Sequence, residues 1–227
     1  EVLQRRLSMR NILIHGLGQS SADWEIVKSE LEARGISAAV PDLFRLAAGK
    51  ELDYAAVYQG FGRLCDSYQE RLNLCGLSLG GLLALDYAVR HPANVNSLVL
   101  IGTPYDIPKR LLRLQNLVFQ LMPKSTFQNM GISKKDFIHL SRSMIDLDFM
   151  RSAAQLDCPA FILCGSKDKA NMESAKRFHE VMKNSSLVVV EDSGHEVNKD
   201  NPHKLASILQ SFWAEKQEKR SWNTDVR

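Results

Sequence analysis

Apolar residues gather along the chain into six short runs of four or five residues. Val, Ile, Leu, Ala and Cys dominate these runs, and apolar and polar positions do not alternate strictly within them. Strands that are buried on both faces of a parallel sheet have this character. The predicted strands span residues 11–14, 37–40, 72–75, 97–101, 160–164 and 187–190.

Longer segments with helical periodicity separate the predicted strands. In the last of them Leu205, Ile208, Leu209 and Phe212 follow the i, i+3, i+4, i+7 spacing of one helix face. The predicted helices span residues 23–34, 53–69, 80–91, 174–183 and 202–216. Alternating strands and helices favour right-handed crossovers. We therefore predict an α/β fold, a doubly wound and mostly parallel sheet of about six strands with helices on both faces.

One connection is too long for a single crossover helix. Residues 103–150 stand between the fourth and fifth predicted strands and contain amphipathic segments near 109–122 and 134–149. We predict a small helical cap inserted in a single domain that spans residues 1–227. The apolar residues of this cap either line a pocket or pack on the sheet, and they are Leu111, Leu112, Leu114, Leu117, Val118, Phe119, Leu121, Met122, Phe127, Met130 and Phe137.

Composition narrows the possible functions. The chain has 44% hydrophobic residues, 24% charged residues and a net charge of +3 with scattered Lys and Arg, so we predict a globular protein that binds no nucleic acid. No stretch of consecutive apolar residues approaches the length of about 18 residues that a membrane-spanning helix needs. The first eight residues have no apolar segment behind them and are therefore not expected to be a secretory signal. They are expected to be either a frayed leader or a segment foreign to the natural protein, with Met9 as its start.

The four cysteines lack the close spacing of a zinc or redox site. Three of them lie in or beside predicted strands, where a free thiol behaves as a small apolar group. The cysteines are Cys65, Cys75, Cys158 and Cys164. Unpaired thiols predict a cytoplasmic protein.

The sequence Gly76-Leu77-Ser78-Leu79-Gly80 links the third predicted strand to a predicted helix. A serine between glycines on a sharp strand-to-helix turn has its hydroxyl exposed at the carboxyl edge of the sheet, where ligand sites form in α/β proteins. The alternative is a glycine-rich helix start with Ser78 as N-cap.

A nucleophilic serine needs a base that a carboxylate orients. Asp168 follows the fifth predicted strand and His195 follows the sixth, so three matched side chains lie beyond the carboxyl ends of three strands. Taken singly, Asp168 could be a turn former and His195 a surface histidine. Asp192 is a second candidate for the acid.

Backbone amides must also stabilise the oxyanion of a tetrahedral intermediate. Glycines beside Leu17, just after the first predicted strand, let the turn expose the Leu17 amide, and the Leu79 amide next to Ser78 is the second candidate donor. We interpret His15 as a buried structural histidine rather than as the base.

With these residues the chain resembles the α/β-hydrolase superfamily from about residue 10 to 213. The matching segments are residues 12–16, 76–81, 90–92, 164–168 and 194–195. The chain is similar to small, short-capped serine hydrolases of the esterase and haloperoxidase-like type. One departure is that an antiparallel hairpin usually precedes the first of these strands, so the sheet is expected to lack its first strands.

The resemblance implies Ser78 as nucleophile, Asp168 as orienting acid, His195 as general base, and the Leu17 and Leu79 amides as oxyanion hole. It also implies acyl transfer without a metal or an organic cofactor. An apolar short cap favours a small, apolar carboxylic ester as the substrate. A thioester and a carbon–carbon bond suit the same triad, and a small-ligand receptor with slow or no turnover is the alternative of another class.

Overall fold

A computed structural model describes residues 9–47, 51–105, 123, 125, 127 and 132–224, without the side chains of 215–224. Its centre is a six-stranded sheet in which all neighbouring strands are parallel. The strands are β1 Met9–Ile14, β2 Ala38–Ala39, β3 Arg71–Leu77, β4 Val95–Ile101, β5 Ala160–Gly165 and β6 Ser185–Val190. Each lies where an apolar run predicted a strand, so the predicted parallel sheet is confirmed.

In the strand order β2-β1-β3-β4-β5-β6, successive strands are added first on one side of β1 and then on the other. From β1 the chain runs outward to β2, and from β3 it runs the opposite way to β4. Ile14 and Gly76 are partners in the last pair of the β1–β3 ladder, so the loops that follow these two strands leave the sheet side by side. Ligand sites in open α/β sheets form at this kind of switch point.

Helices follow most of the strands. They are α1 Glu25–Glu32, α2 Leu43–Leu46, α3 Tyr54–Asp66, α4 Leu79–Arg90, α5 Lys134–Ser143, α6 Met150–Ala153, α7 Met172–Val181, α8 Val197–Asp200 and α9 Pro202–Thr224. Short 3-10 turns stand at Ser21–Trp24 and Pro92–Asn94. All five predicted helices are present. The ends of four are shifted by up to three residues, and α9 extends eight residues beyond its predicted end.

Successive side chains of each inner strand contribute to two separate apolar layers. On β1, Ile12 and Ile14 belong to the layer that includes side chains of α3, α4, α5 and α7, whereas Leu13 belongs to the layer that includes side chains of α1 and α9. Both faces of the sheet are therefore covered by helices, which explains why the strands are apolar at nearly every position.

The segment between β4 and β5 is described only in part. Ser133 caps α5 by accepting a hydrogen bond from the Asp136 amide (3.1 Å), and Phe137 of this helix packs against Phe127 with ring centroids 5.1 Å apart. Residues 106–122, which include most of the predicted cap residues, lie outside the described residues, as do residues 1–8. A cap over residues 103–150 therefore stays a prediction.

Strand β2 forms one edge of the sheet and pairs only through Ala38 and Ala39. In the described ranges no strand precedes β1 and no antiparallel pair is present. None of the helices described here is both long enough and apolar enough to cross a membrane.

Candidate active site

Ser78 lies on the sharp turn between β3 and α4. Its backbone has φ 53° and ψ −110°, a left-handed conformation that non-glycine residues rarely adopt. The turn is held because the Ser78 amide donates to the Ile101 carbonyl (2.8 Å) and the Ser78 carbonyl accepts from the Leu82 amide (3.0 Å). Ser78 stands at the N-cap position of α4, but its hydroxyl makes no capping hydrogen bond. The half-buried hydroxyl is thus not used to start the helix.

Two glycines of the motif are required by close packing. A Cβ on Gly76 would collide with the backbone of Gly80, and a Cβ on Gly80 would collide with the carbonyl oxygen of Ile14. The turn after β3 is therefore in close backbone contact with the start of α4, and the first turn of α4 is in close contact with the end of β1.

His195 and Asp168 form a direct pair at the carboxyl ends of β6 and β5. The His195 Nδ1 atom lies 2.8 Å from the Asp168 Oδ2 atom, and the Asp168 side chain is 5% exposed against 40% for His195. A carboxylate only accepts hydrogen bonds, so Nδ1 carries the proton of a neutral ring. The Nε2 atom is then left as an acceptor.

The loops that carry this pair are hydrogen-bonded to each other. The Ser166 amide donates to the Val190 carbonyl and the Lys167 amide donates to the Ser193 carbonyl, each at 2.9 Å. A Cβ on Gly165 would collide with the Ser193 and Gly194 carbonyls, so the two loops are also in close contact. The pairing of β5 with β6 thus continues beyond the sheet and brings the acid to the histidine.

Gly102 lies between the elbow and the His195–Asp168 pair. Its neighbour Ile101 accepts the hydrogen bond from Ser78, and a Cβ on Gly102 would lie 2.9 Å from both Nδ1 and Cε1 of His195. Ser78 and His195 therefore flank the same two-residue segment at the end of β4. Among the described residues no hydrogen bond joins the Ser78 hydroxyl to His195.

Asp168 is held by more than the histidine. The Asn171 side-chain amide lies 3.0 Å from Oδ1 and 2.9 Å from Oδ2, and the Asn171 backbone amide lies 3.3 Å from Oδ1. Burial alone would raise the pKa of the Asp168 carboxyl, but the hydrogen bonds from His195 and Asn171 outweigh it and hold this pKa below its ordinary value.

The amides of Leu17 and Leu79 have no acceptor among the described residues. Leu79 begins α4, where amides lack partners within the helix and the positive end of the helix dipole favours an anion. Leu17 follows β1 in a turn that Gly18 continues at φ 87°. Because Gly80 packs against the Ile14 and His15 carbonyls, the two candidate donors belong to neighbouring backbone segments.

His15 is structural in its contacts. Nδ1 lies 2.9 Å from the Gly16 carbonyl oxygen, which only accepts, and Nε2 accepts from the Leu43 amide (3.1 Å). Burial lowers the pKa of this histidine, which keeps the ring neutral. Asp192 is exposed and forms an ion pair with Lys167 (3.1 Å), so it is not placed against the His195 ring.

A buried side chain that the sequence analysis did not single out connects two of these loops. Gln19 accepts from the Gly16 amide (3.3 Å) and donates to Glu196 Oε1 (3.0 Å) and Asn198 Oδ1 (3.1 Å). It thereby joins the turn that carries Leu17 to the loop that carries His195. Neither Gln19 nor Asn171 belongs to a recognisable motif, because their roles depend on contacts made only in the fold.

In the ranges that the structure describes, no three His, Cys, Asp or Glu side chains are grouped to hold a metal ion. The groups gathered at this edge of the sheet are a hydroxyl, an oriented imidazole, a carboxylate and unpaired backbone amides. Together they suit proton transfer and the stabilisation of a developing oxyanion.

Known proteins resemble the chain over most of its length. A model of the alpha/beta hydrolase family matches residues 12–208. The AB hydrolase superfamily protein YisY of Bacillus subtilis is 26% identical over 241 residues, which cover 88% of this chain and 90% of that protein.

Solved structures show the same fold. A structure from a study of carboxylesterases of the thaumarchaeon Nitrososphaera gargenis has a TM-score of 0.80 at 17% identity, covering 93% of this chain and 92% of its own. A thermophilic esterase from Thermogutta terrifontis has a TM-score of 0.77 at 18% identity, covering 92% and 91%.

Proposed function

Because the chain belongs to the alpha/beta hydrolase family and has its fold, we propose that it is a serine hydrolase that cleaves a small carboxylic ester. Ser78 is the nucleophile, His195 the general base and Asp168 the acid that orients it. The observation that carries the proposal is the hydrogen bond of 2.8 Å between His195 and a buried Asp168, in loops next to the strained turn of Ser78. A base held in this tautomer has Nε2 available for a serine proton.

Acylation begins when His195 Nε2 takes the proton of the Ser78 hydroxyl as Oγ attacks the ester carbonyl carbon. The carbonyl oxygen becomes an oxyanion that accepts hydrogen bonds from the Leu17 and Leu79 amides. The imidazolium is stabilised by the Asp168 carboxylate, whose pKa is kept below its ordinary value by His195 and Asn171 against the effect of burial. The tetrahedral intermediate collapses when Nε2 returns the proton to the leaving alkoxide.

Deacylation repeats these steps with water as the nucleophile. His195 takes a proton from water, the hydroxide attacks the acyl carbon, and the same two amides hold the second oxyanion. The proton then returns to Ser78 Oγ as the carboxylic acid leaves. The cycle needs only the side chains and amides of this chain and one water molecule.

An ester is favoured over a thioester or a carbon–carbon bond because structurally similar proteins are described as esterases. The apolar side chains in the sequence of residues 103–150 support a small apolar acyl group. We also propose a cytoplasmic location, since all four cysteines are free thiols.

The test is hydrolysis of aryl esters of increasing acyl length by the wild type and by Ser78→Ala. Turnover should fall about a thousandfold or more in the variant, because the nucleophile is lost while binding remains. Ser67→Ala is the control. The Ser67 hydroxyl is exposed and donates a hydrogen bond to the Leu64 carbonyl (2.6 Å) at the end of α3. Full turnover by Ser78→Ala would refute the assignment. A wild type that binds a small ligand but hydrolyses neither esters nor thioesters would favour a receptor.

A further inference from the structure

We infer that Asn171 is a positioning residue of this site, which fixes the Asp168 carboxylate in the orientation that His195 requires. The inference rests on the proposed function for its kinetic consequence. Among the described residues the Asn171 side chain contacts Asp168 and His195 but not Ser78, so it acts through the acid and the base.

In the part of the chain that the structure describes, two residues supply donors to this carboxylate. Asn171 supplies its side-chain amide to both oxygens and its backbone amide to Oδ1, and His195 supplies Nδ1–H to Oδ2. Each oxygen therefore accepts from Asn171, which fixes the rotation of the carboxyl group about its Cβ–Cγ bond. A carboxylate held by the histidine alone would be free to turn either oxygen towards the ring.

The Asn171 side chain contacts Asp168 instead of capping the helix that it begins. It stands at the N-cap of α7, where asparagine side chains usually accept a hydrogen bond from the first turn of the helix. Here the side chain makes no capping bond and turns back by three residues to Asp168. The Asn171 side chain thus gives no bond to its own helix, and the acid receives two contacts from it.

The Asn171 amide also lies beside the imidazole. Its Nδ2 atom is 3.1 Å from His195 Nδ1. Since both nitrogens donate to the same carboxylate, they lie side by side, and Asn171 restricts the imidazole and the carboxylate to one shared arrangement. A fixed arrangement of the carboxylate and the imidazole matters most when the imidazolium forms. A carboxylate that is already oriented towards the ring stabilises the new charge without reorganisation.

Two substitutions separate positioning from capping. Serine is a favoured N-cap residue but is too short to bridge both oxygens, and aspartate keeps the shape of asparagine but offers no N–H group. We expect kcat for aryl ester hydrolysis to fall about 10- to 100-fold in Asn171→Ser, with KM nearly unchanged, because hydrogen bonds to a charged group are lost. Asn171→Asp should lose at least as much through carboxylate repulsion. Lys169→Ala, at an exposed position of the same loop, is the matched control.

A second measurement does not depend on turnover. The Nδ1–H proton of His195 should give a strongly downfield proton NMR resonance in the wild type, absent in His195→Gln. In Asn171→Ser this resonance should move upfield or broaden, and in Lys169→Ala it should stay in place. Circular dichroism establishes that each variant is folded, and Asn171→Asp provides the same comparison should the serine variant fail to fold.

The outcomes distinguish the two proposals. An active wild type whose Asn171→Ser variant keeps both kcat and the resonance would overturn the positioning role and leave the hydrolase intact. A wild type without turnover, whose resonance still changes in Asn171→Ser, would overturn the hydrolase and support the positioning role. A resonance that is unchanged in both Asn171 variants would overturn the positioning role whatever the activity.

Discussion

Gly102 lies at the end of β4, between Ser78 and the proposed base. Its φ of +51° suits glycine, and the space that a Cβ would need is taken by the His195 ring and, at 3.3 Å, by Asp168 Oδ2. The absence of a side chain here lets the imidazole lie directly on the end of β4. Gly102 therefore affects the position of the His195 ring, although it has no side chain that could take part in the reaction.

We predict that Gly102→Ala lowers ester turnover strongly because its methyl group would displace the imidazole. Gly35→Ala is the matched control, since Gly35 also has positive φ (+76°) but nothing within 4 Å of its Cβ position. Both variants should lose about 1–2 kcal/mol of unfolding free energy through backbone strain. Only Gly102→Ala should lose activity. Equal turnover in the two variants, measured alongside thermal unfolding, would contradict the packing argument.

Some site residues could be predicted from the sequence and others could not. Ser78, Asp168 and His195 each follow an apolar run, so their position at the carboxyl edge could be predicted before their contacts were known. Asn171 and Gly102 carry no such signal. The direction of the Asn171 side chain is decided by a carboxylate three residues earlier, and the space beside Gly102 is decided by a loop almost a hundred residues later.

The loops after β1 and β6 are joined by buried polar side chains. Gln19 and Asn198 are both 1% exposed, and Asn198 also donates to the Asp23 carbonyl (3.0 Å). Buried amides need all of these partners, because an unpaired polar group in the interior costs about 1–3 kcal/mol. The network therefore fixes the turn of Leu17 relative to the loop of His195.

Gln19→Met should lower both stability and turnover, since it keeps the length of the side chain but removes the bonds to Gly16, Glu196 and Asn198. We expect a loss of about 1–3 kcal/mol in unfolding free energy. We also expect kcat to fall by a larger factor than the factor by which KM changes. Ser207→Ala, which removes a bond between α9 and Arg34 (3.1 Å) far from the site, should leave kcat unchanged. Wild-type turnover in Gln19→Met would show that the two loops hold their positions independently.

The elements were easier to predict than their ends. The apolar runs predicted all six strands, but β2 was predicted over residues 37–40 and pairs with β1 through Ala38 and Ala39 alone. The four-residue helices α2, α6 and α8 were not predicted, since one helical turn is too short to show a period. Helix α3 was predicted to reach residue 69 but ends at Asp66, before Ser67 bonds back to the helix.

In the molecule as a whole, the strand order brings together residues from four distant parts of the chain. The loops after β1 and β3 meet because these strands are neighbours at the switch point, and the loops after β5 and β6 meet because those strands are paired. Gly102, at the end of β4, lies between the two sets. The sequence predicted the parallel sheet and its α/β class, but the order of the strands depends on long-range pairing that short patterns do not encode.

The central claim is that this assembly activates Ser78 as a nucleophile. The most direct measurement is the intact mass of the protein after reaction with a fluorophosphonate, followed by peptide mapping, for the wild type, Ser78→Ala and His195→Gln. We predict one adduct on Ser78 in the wild type, none in Ser78→Ala and much slower labelling in His195→Gln. A folded wild type that remains unlabelled, or that is labelled at another serine, would contradict the claim.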